Sequence, residues 1–168
     1  VSGDVNTGGI AGSIAIEYEL DPEDDVSADL DGEYRRQYEY RAVVQQCANT
    51  GAVSAKRSNT GGIAGRMDLG LIISCESYGS VESDSGSCVG GIAGECINAA
   101  TVSGCTNSAT VSGPIITSGD TQSGQITSFY TGGIAGYMKE TSLGTGSIYR
   151  CTNNGAVTGG VYPDGFIK

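Results

Sequence analysis

Apolar and polar residues alternate along several short segments of this chain. After Cys105 every second position is small or apolar, through Asn107, Ala109 and Val111, whereas Thr or Ser stands at most of the positions between them. A period of two places successive side chains on opposite faces of a strand. Glycine recurs in these segments, where it would destabilise a helix by about 1 kcal/mol at each position. The pattern therefore predicts an all-β chain.

The alternating segments belong to a repeat. The pentapeptide Gly-Gly-Ile-Ala-Gly begins at Gly8, Gly61, Gly90 and Gly132. A second element, with an aliphatic residue, Cys, a small polar residue, Gly or Ala, and Val at constant spacing, begins at Val44, Ile72, Val102 and Ile148. Elements that recur in this way are typical of stacked repeats.

The least interrupted repeat, from Gly61 to Gly90, is long enough for three short strands and three turns. Units of this kind stack as coils of a parallel β-helix, with like residues about 4.8 Å apart along the axis. We expect one domain over residues 1–168, a β-solenoid of about four coils, right-handed like most parallel crossovers. The longer repeats place insertions at about 13–46 and 114–128, where loops absorb length at small entropic cost.

Stacking gives each repeated residue a structural task. The isoleucines are expected to form an internal column, with adjacent glycines letting the walls approach. The cysteines would form a second column of small, polarizable side chains. Asparagine suits the corners, because it tolerates a left-handed backbone and its amide can bond the amide of the next coil. The predicted structural residues are Ile10, Ile63, Ile92, Ile134, Cys47, Cys75, Cys105, Cys151, Asn49, Asn107 and Asn153.

The redox state of the six cysteines stays open at this point. Neighbours such as Cys75 and Cys105 would have a Cα separation that a disulfide allows, but parallel side-chain directions favour free thiols. Cys88 and Cys96 flank one pentapeptide, and eight residues of strand span about 26 Å, so they cannot pair if that segment is extended. Because no Cys-x-x-Cys pair occurs, we expect no metal site on cysteine.

Gly-Gly-Ile-Ala-Gly followed by Ile-x-x-Cys-x-Asn-x-Gly-x-Val resembles the GLUG motif of bacterial cell-surface and secreted proteins, which include non-catalytic regions of IgA-specific metallopeptidases and adhesin-like chains. The resemblance covers most of the chain outside the insertions. It departs where Ile-Ala replaces the usual Leu-Val and where insertions split the first and third copies. It implies an extracellular structural or adhesive module without established catalytic residues. Because the first three residues, Val-Ser-Gly, resemble the Val-Thr-Gly at Val157, we expect a fragment of a larger repeat protein with adjoining domains.

Composition narrows the functional classes. The chain has no His, which removes the commonest general base and zinc ligand. Its net charge of −10 opposes nucleic-acid binding. No apolar run approaches the roughly 20 residues of a transmembrane helix. Acidic residues without any Lys or Arg are concentrated between Glu17 and Glu33, so the rest of the chain is nearly neutral.

The first insertion is predicted to form a β-hairpin with this acidic stretch at its tip, because apolar and aromatic residues alternate on both sides of it. Exposed Tyr beside Arg could stack on sugars or anchor a protein, although the same rings could simply pack against the solenoid. The candidate ligand-binding residues are Tyr18, Tyr34, Arg36, Tyr38 and Tyr40. Asp25, Asp29 and Asp31 are candidate calcium ligands, but the run does not match an EF-hand loop and a solvated acidic loop explains it equally.

These features favour a non-catalytic cell-surface or secreted module that needs no cofactor and binds a glycan or a surface protein, or acts as a spacer. The alternative is a carbohydrate-active enzyme, a lyase or glycosidase, on a β-helix scaffold. A glycosidase needs two carboxylates at a defined separation, and the sequence selects no such pair.

Overall fold

Strands of two to five residues form the regular structure of this protein. The computed structural model describes residues 1–15, 42–115, 129–141 and 144–159, together with the backbone pairing of 27–28 and 34–35. In these ranges the strands form five parallel sheets and one antiparallel pair. The predicted all-β class is therefore confirmed, and the stacked parallel sheets give the chain a solenoid-like architecture.

The chain visits the five sheets in the same order in every repeat. Sheet 1 contains Thr7–Gly8, Thr60–Gly61, Cys88–Gly90 and Tyr130–Gly132. Sheet 2 contains Ala11–Ile14, Ala64–Asp68, Ala93–Ile97 and Ala135–Lys139. Sheet 3 contains Val43–Gln45, Leu71–Ile73, Thr101–Ser103 and Ser147–Tyr149. Sheet 4 contains Ala48–Asn49, Glu76–Ser77, Thr106–Asn107 and Thr152–Asn153. Sheet 5 contains Ser2–Gly3, Val53–Ala55, Val81–Ser83, Val111–Ser112 and Val157–Thr158.

Each repeat has five strands, so the expectation of three was wrong. Single residues with a left-handed backbone turn the chain between sheets 3 and 4, at the position just before each repeated cysteine. These residues are Gln46, Ser74, Gly104 and Arg150, with φ of 53°, 51°, 61° and 53°. One left-handed residue bends the chain sharply at a corner, which divides a segment of the predicted length into two shorter strands.

Asparagine does not occupy these corners, so the expectation that it does was wrong. Asn49, Asn107 and Asn153 are strand residues in sheet 4, and none has a positive φ. The side chain of Asn107 instead bonds its own backbone two residues on, where its amide accepts from Ala109 N and donates to Ala109 O, both at 3.1 Å. Among these three asparagines, the expected bond between stacked amides is present once, from Asn107 Nδ2 to Asn153 Oδ1 at 2.7 Å.

Two apolar clusters fill the interior. The larger one contains Ile63, Met67, Ile72 and their counterparts in the neighbouring repeats, all fully buried in the central part of the structure. The smaller one contains Val81, Val89, Ala109 and Val111. The Asn107 side chain lies against Gly91 and fits there only because glycine has no β-carbon. A β-carbon on Gly91 would lie 2.3 Å from the Asn107 Cγ atom. The second glycine of the pentapeptide therefore leaves the space that the asparagine fills.

Within the insertion that interrupts the first repeat, Ser27–Ala28 pairs antiparallel with Tyr34–Arg35. The remainder of the predicted hairpin lies outside the described residues. Parallel pairing continues to Ile14 before this insertion and resumes at Val43 after it. Across the described ranges, the chain contains no helix that is long and apolar enough to cross a bilayer.

The first glycine of the pentapeptide provides a test of this close packing. A β-carbon at Gly90 would lie 1.9 Å from the Ala93 carbonyl oxygen and 2.6 Å from the Gly136 nitrogen. Because both atoms belong to hydrogen-bonded backbone, we expect Gly90→Ala to lower the free energy of unfolding by about 3 kcal/mol or more. In Gly51→Ala the new carbon would lie 3.8 Å from Asn49 Oδ1, an ordinary contact. Urea unfolding should show nearly unchanged stability for this control; equal losses in the two variants would contradict the packing.

A second test concerns Thr60, whose buried hydroxyl has no hydrogen-bond partner among the described residues. Val89 occupies the neighbouring position of sheet 1 and has the same shape. We therefore expect Thr60→Val to raise the free energy of unfolding by about 1 kcal/mol, because it removes a desolvated polar group. Thr101→Val is the matched control, since the Thr101 and Ser147 hydroxyls are 3.2 Å apart. Urea unfolding should show this control to be less stable than the native chain. A loss of similar size in Thr60→Val would mean that the Thr60 hydroxyl does have a hydrogen-bond partner.

Candidate functional site

The ligand-binding residues predicted in the first insertion lie outside the described residues. This holds for Tyr18, Arg36, Tyr38 and Tyr40, and for the calcium candidates Asp25, Asp29 and Asp31. Only the backbone of Tyr34 is described, opposite Ala28. Their predicted roles remain predictions, and a candidate site has to be built from the repeats themselves.

The structure stacks the four pentapeptide isoleucines in one series. The Ile10 N–H donates to the Ile63 carbonyl, Ile63 to Ile92, and Ile92 to Ile134, at 2.9 to 3.1 Å. Ile63 and Ile92 are fully buried and Ile134 is half-buried, whereas Ile10 is 46% exposed. The expectation that all four lie inside is therefore wrong for Ile10, because it lies in the outermost layer of the described structure and is covered from one side only.

All six cysteines are free thiols. In the column of Cys47, Cys75, Cys105 and Cys151, each sulfur lies 3.3 to 3.4 Å from the carbonyl oxygen two residues earlier. The left-handed corner residue lies between the cysteine and that carbonyl in sequence. The thiol is small enough for the interior and donates to a carbonyl that, at Ile73, Ser103 and Tyr149, also accepts the N–H of the corner residue of the preceding repeat. This geometry explains why cysteine recurs at the position.

Cys88 and Cys96 do not lie on an extended segment. The chain leaves sheet 1 at Gly90, bends, and enters sheet 2 at Ala93. Both thiols are buried, and burial raises the pKa of Cys96 to about 12. Burial also raises the pKa of Cys105 to about 11 and shifts the pKa of Cys75 and Cys88 upward. Within the described ranges, no cluster of three or more Cys, Asp or Glu side chains could hold a metal ion.

Polar and aromatic side chains along sheets 1 and 2 form a surface of the repeats, to which the buried Asn59, just before the strand Thr60–Gly61, contributes from beneath. We call it the Glu95 face and define it by Asn59, Arg66, Glu95, Tyr130 and Tyr137. Arg66, Glu95 and Tyr137 follow one another across sheet 2 in successive repeats. Tyr130 lies at the outward position of sheet 1 in the last repeat, next to Cys88 in the register. The face therefore runs along the stacking direction.

Glu95 is the centre of the polar half of this face. Its Oε2 atom lies 3.2 Å from Arg66 Nε and accepts a hydrogen bond from Asn59 Nδ2 at 3.1 Å. Arg66 also approaches the buried Asp68, with 3.7 Å between Nη2 and Oδ2. The second and third repeats, which supply these groups, hold one another's side chains in position, so the charges and the amide are ordered without a ligand.

Tyr130 and Tyr137 form the aromatic half. Their rings stack with centroids 4.5 Å apart and an interplanar angle of 30°. Tyr130 is 40% exposed, and Tyr137 is half-buried. An exposed ring pair next to an ordered carboxylate, guanidinium and amide can stack on the apolar face of a sugar while the polar groups bond its hydroxyls.

The Glu95 face is not among the sites that the sequence predicts. Its residues occupy two variable positions beside each pentapeptide. The position two residues before the pentapeptide is filled by Asn6, Asn59, Cys88 and Tyr130. The position directly after it is filled by Ser13, Arg66, Glu95 and Tyr137. Because each position lies at a constant distance in sequence from the pentapeptide, the sequence predicts that these residues stack in two adjacent columns. That the two columns touch depends on the bend within the pentapeptide, which the residue pattern does not specify.

Comparison of this chain with models of protein families, with curated proteins and with solved structures gives no match.

The thiol environments generate a test. At pH 8 we expect Ellman's reagent to react rapidly with the half-buried Cys47 and Cys151, and slowly with the four buried cysteines, because a buried thiol with a raised pKa contains little thiolate. Cys47→Ser combined with Cys151→Ser should abolish the rapid phase, while unfolding in urea should expose every remaining thiol. Rapid native-state reaction of the double variant would contradict the described burial.

Proposed function

We propose that this chain is a non-catalytic module of a bacterial cell-surface or secreted protein, similar to GLUG repeats, and that it binds a glycan through the Glu95 face. We further propose that its five parallel sheets form a right-handed solenoid of four coils, since the strong preference of parallel crossovers supports that hand. The repeated sequence and the constant order of the sheets support the coil count.

The single observation that carries the binding proposal is the stacked pair of Tyr130 and Tyr137 beside the Glu95 and Arg66 ion pair. Tyr and Arg are the side chains most often responsible for binding energy at recognition surfaces. The ring pair offers apolar area with few rotatable bonds, and the ion pair supplies both donors and acceptors. A saccharide needs both kinds of contact, because each sugar ring has an apolar face and a rim of hydroxyl groups.

A linear glycan fits the direction of the face. The contributing residues come from successive repeats, and the strands of one sheet lie about 4.8 Å apart. Asn59 and Arg66 come from the second repeat, Glu95 from the third and the tyrosines from the fourth. A ligand that extends along the stacking axis therefore contacts the charged groups and then the aromatic groups, while the buried Asn59 holds Glu95 in place.

The proposal is tested on a glycan array followed by titration calorimetry with any saccharide that binds. We expect Tyr130→Ala to weaken binding about 30-fold, which corresponds to about 2 kcal/mol for loss of an aromatic anchor. Glu95→Gln should also weaken binding, because it removes the charge and keeps the shape. Circular dichroism should show each variant to be folded.

Tyr78→Ala is the matched control. Tyr78 is 50% exposed on the outer face of sheet 4, where its hydroxyl donates to Glu76 at 2.7 Å. Its removal should leave glycan binding unchanged. The proposal fails if the native chain binds no saccharide on the array, or if Tyr78→Ala weakens binding as much as Tyr130→Ala does.

A further inference from the structure

Two carboxylates already balance the positive charge of Arg66. Its Nε atom lies 3.2 Å from Glu95 Oε2, and its Nη2 atom lies 3.7 Å from Asp68 Oδ2. Amide groups hold both acids in place, because Asn59 donates to Glu95 at 3.1 Å and Asn98 donates to Asp68 Oδ1 at 2.7 Å. The Arg66 side chain is 37% exposed, so it offers a ligand hydrogen-bond donors but no unbalanced charge.

The other charged side chains of this surface do not change that balance. Lys139 is the second cation in the described strands of sheet 2, and Glu140 follows it directly. Both residues are exposed. Arg66 and Lys139 thus stand against Asp68, Glu95 and Glu140, which makes two positive charges against three negative ones. This surface has no surplus of the positive charge that would attract an acidic ligand.

The aromatic half of the Glu95 face has the same preference. The face of a tyrosine ring carries negative electrostatic potential, which attracts the C–H bonds of a sugar and repels an anion. Tyr130 and Tyr137 stack with their ring centroids 4.5 Å apart. An anionic group therefore finds no favourable position on either half of the face.

We propose that the saccharide bound by the Glu95 face is uncharged, and that Glu95 and Asp68 exclude sugars that carry a carboxylate or sulfate group. This inference rests on the proposed glycan binding. A hydroxyl group both donates and accepts, so neighbouring hydroxyls of a neutral sugar can accept from Arg66 and donate to Glu95 together. The contacts of Glu95 with Arg66 and Asn59 are both made by Oε2, which leaves Oε1 to accept from the sugar.

An acidic sugar meets the opposite situation. Its carboxylate can pair with the Arg66 guanidinium only by approaching Glu95 and Asp68 or by displacing one of them. The approach brings like charges together, and displacement leaves an acid of the protein without its cation. The face thus selects its ligand by repulsion as well as by attraction.

Matched oligosaccharides test the inference. A glycan array carries neutral hexose oligosaccharides beside their C6-oxidised forms, in which a carboxylate replaces the primary hydroxyl and the linkages are unchanged, and titration calorimetry then measures the pair that binds best. We expect the native chain to bind the oxidised form at least about 30-fold more weakly than the neutral one. In Glu95→Gln this ratio should fall at least about fivefold, because one of the two repelling charges is removed.

Glu82→Gln is the matched control. It removes the same charge from the exposed Glu82 in the Val81–Ser83 strand of sheet 5, so the ratio should remain that of the native chain. Salt provides a second readout. Between about 50 and about 500 mM NaCl, binding of the neutral form should stay nearly constant, while the oxidised form should bind more tightly as salt screens the repulsion.

The outcomes separate this inference from glycan binding itself. If the native chain binds the oxidised form as tightly as the neutral one or more tightly, the inference is overturned and glycan binding stands. The same conclusion follows if Glu95→Gln leaves the ratio unchanged, or if Glu82→Gln lowers it as much. A native chain that binds neither form contradicts the proposed function and this inference with it. Circular dichroism should show both variants to be folded.

Discussion

Parallel pairing of each repeat with the next, in a register that sets like residues over like, is the constraint on which this structure depends. Ala64 pairs with Ala93 in sheet 2, and Ile72 pairs with Val102 in sheet 3. Because the register is fixed in five sheets at once, a side chain at a given position meets almost the same surroundings in every interior repeat. The same residue types therefore recur, because equivalent positions have to satisfy the same packing.

Several residue choices follow from that constraint. The bend inside the pentapeptide brings the backbones of sheets 1 and 2 together, so a side chain at Gly90 would strike the Ala93 carbonyl. At the corner between sheets 3 and 4, the cysteine thiol donates to the carbonyl oxygen just before the corner residue. The interior polar group of Asn107 is satisfied by its own strand and by Asn153. Burial of this amide therefore costs little, unlike burial of the Thr60 hydroxyl, which has no partner among the described residues.

The same constraint separates the conserved interior of the repeats from their variable outer surface. Inward positions are held to a narrow set of residues, while outward positions vary freely from repeat to repeat. Two such outward columns meet at the Glu95 face, where the bend of the pentapeptide brings sheets 1 and 2 side by side. A rigid backbone with freely chosen outer side chains can present charged and aromatic groups in a fixed order along one axis.

The amino-acid sequence by itself determined the strand class, the repeat and the identity of the stacked columns, because a period of two and a fixed internal spacing are local properties of the chain. It did not determine five sheets in place of three, since a left-handed residue such as Ser74 or Arg150 carries no distinctive signature. It also did not place Arg66 beside Glu95, nor Tyr130 against Tyr137. Arg66 and Glu95 belong to different repeats, and only the register between the repeats brings them together. Tyr130 and Tyr137 flank one pentapeptide, and only its bend brings their rings into contact.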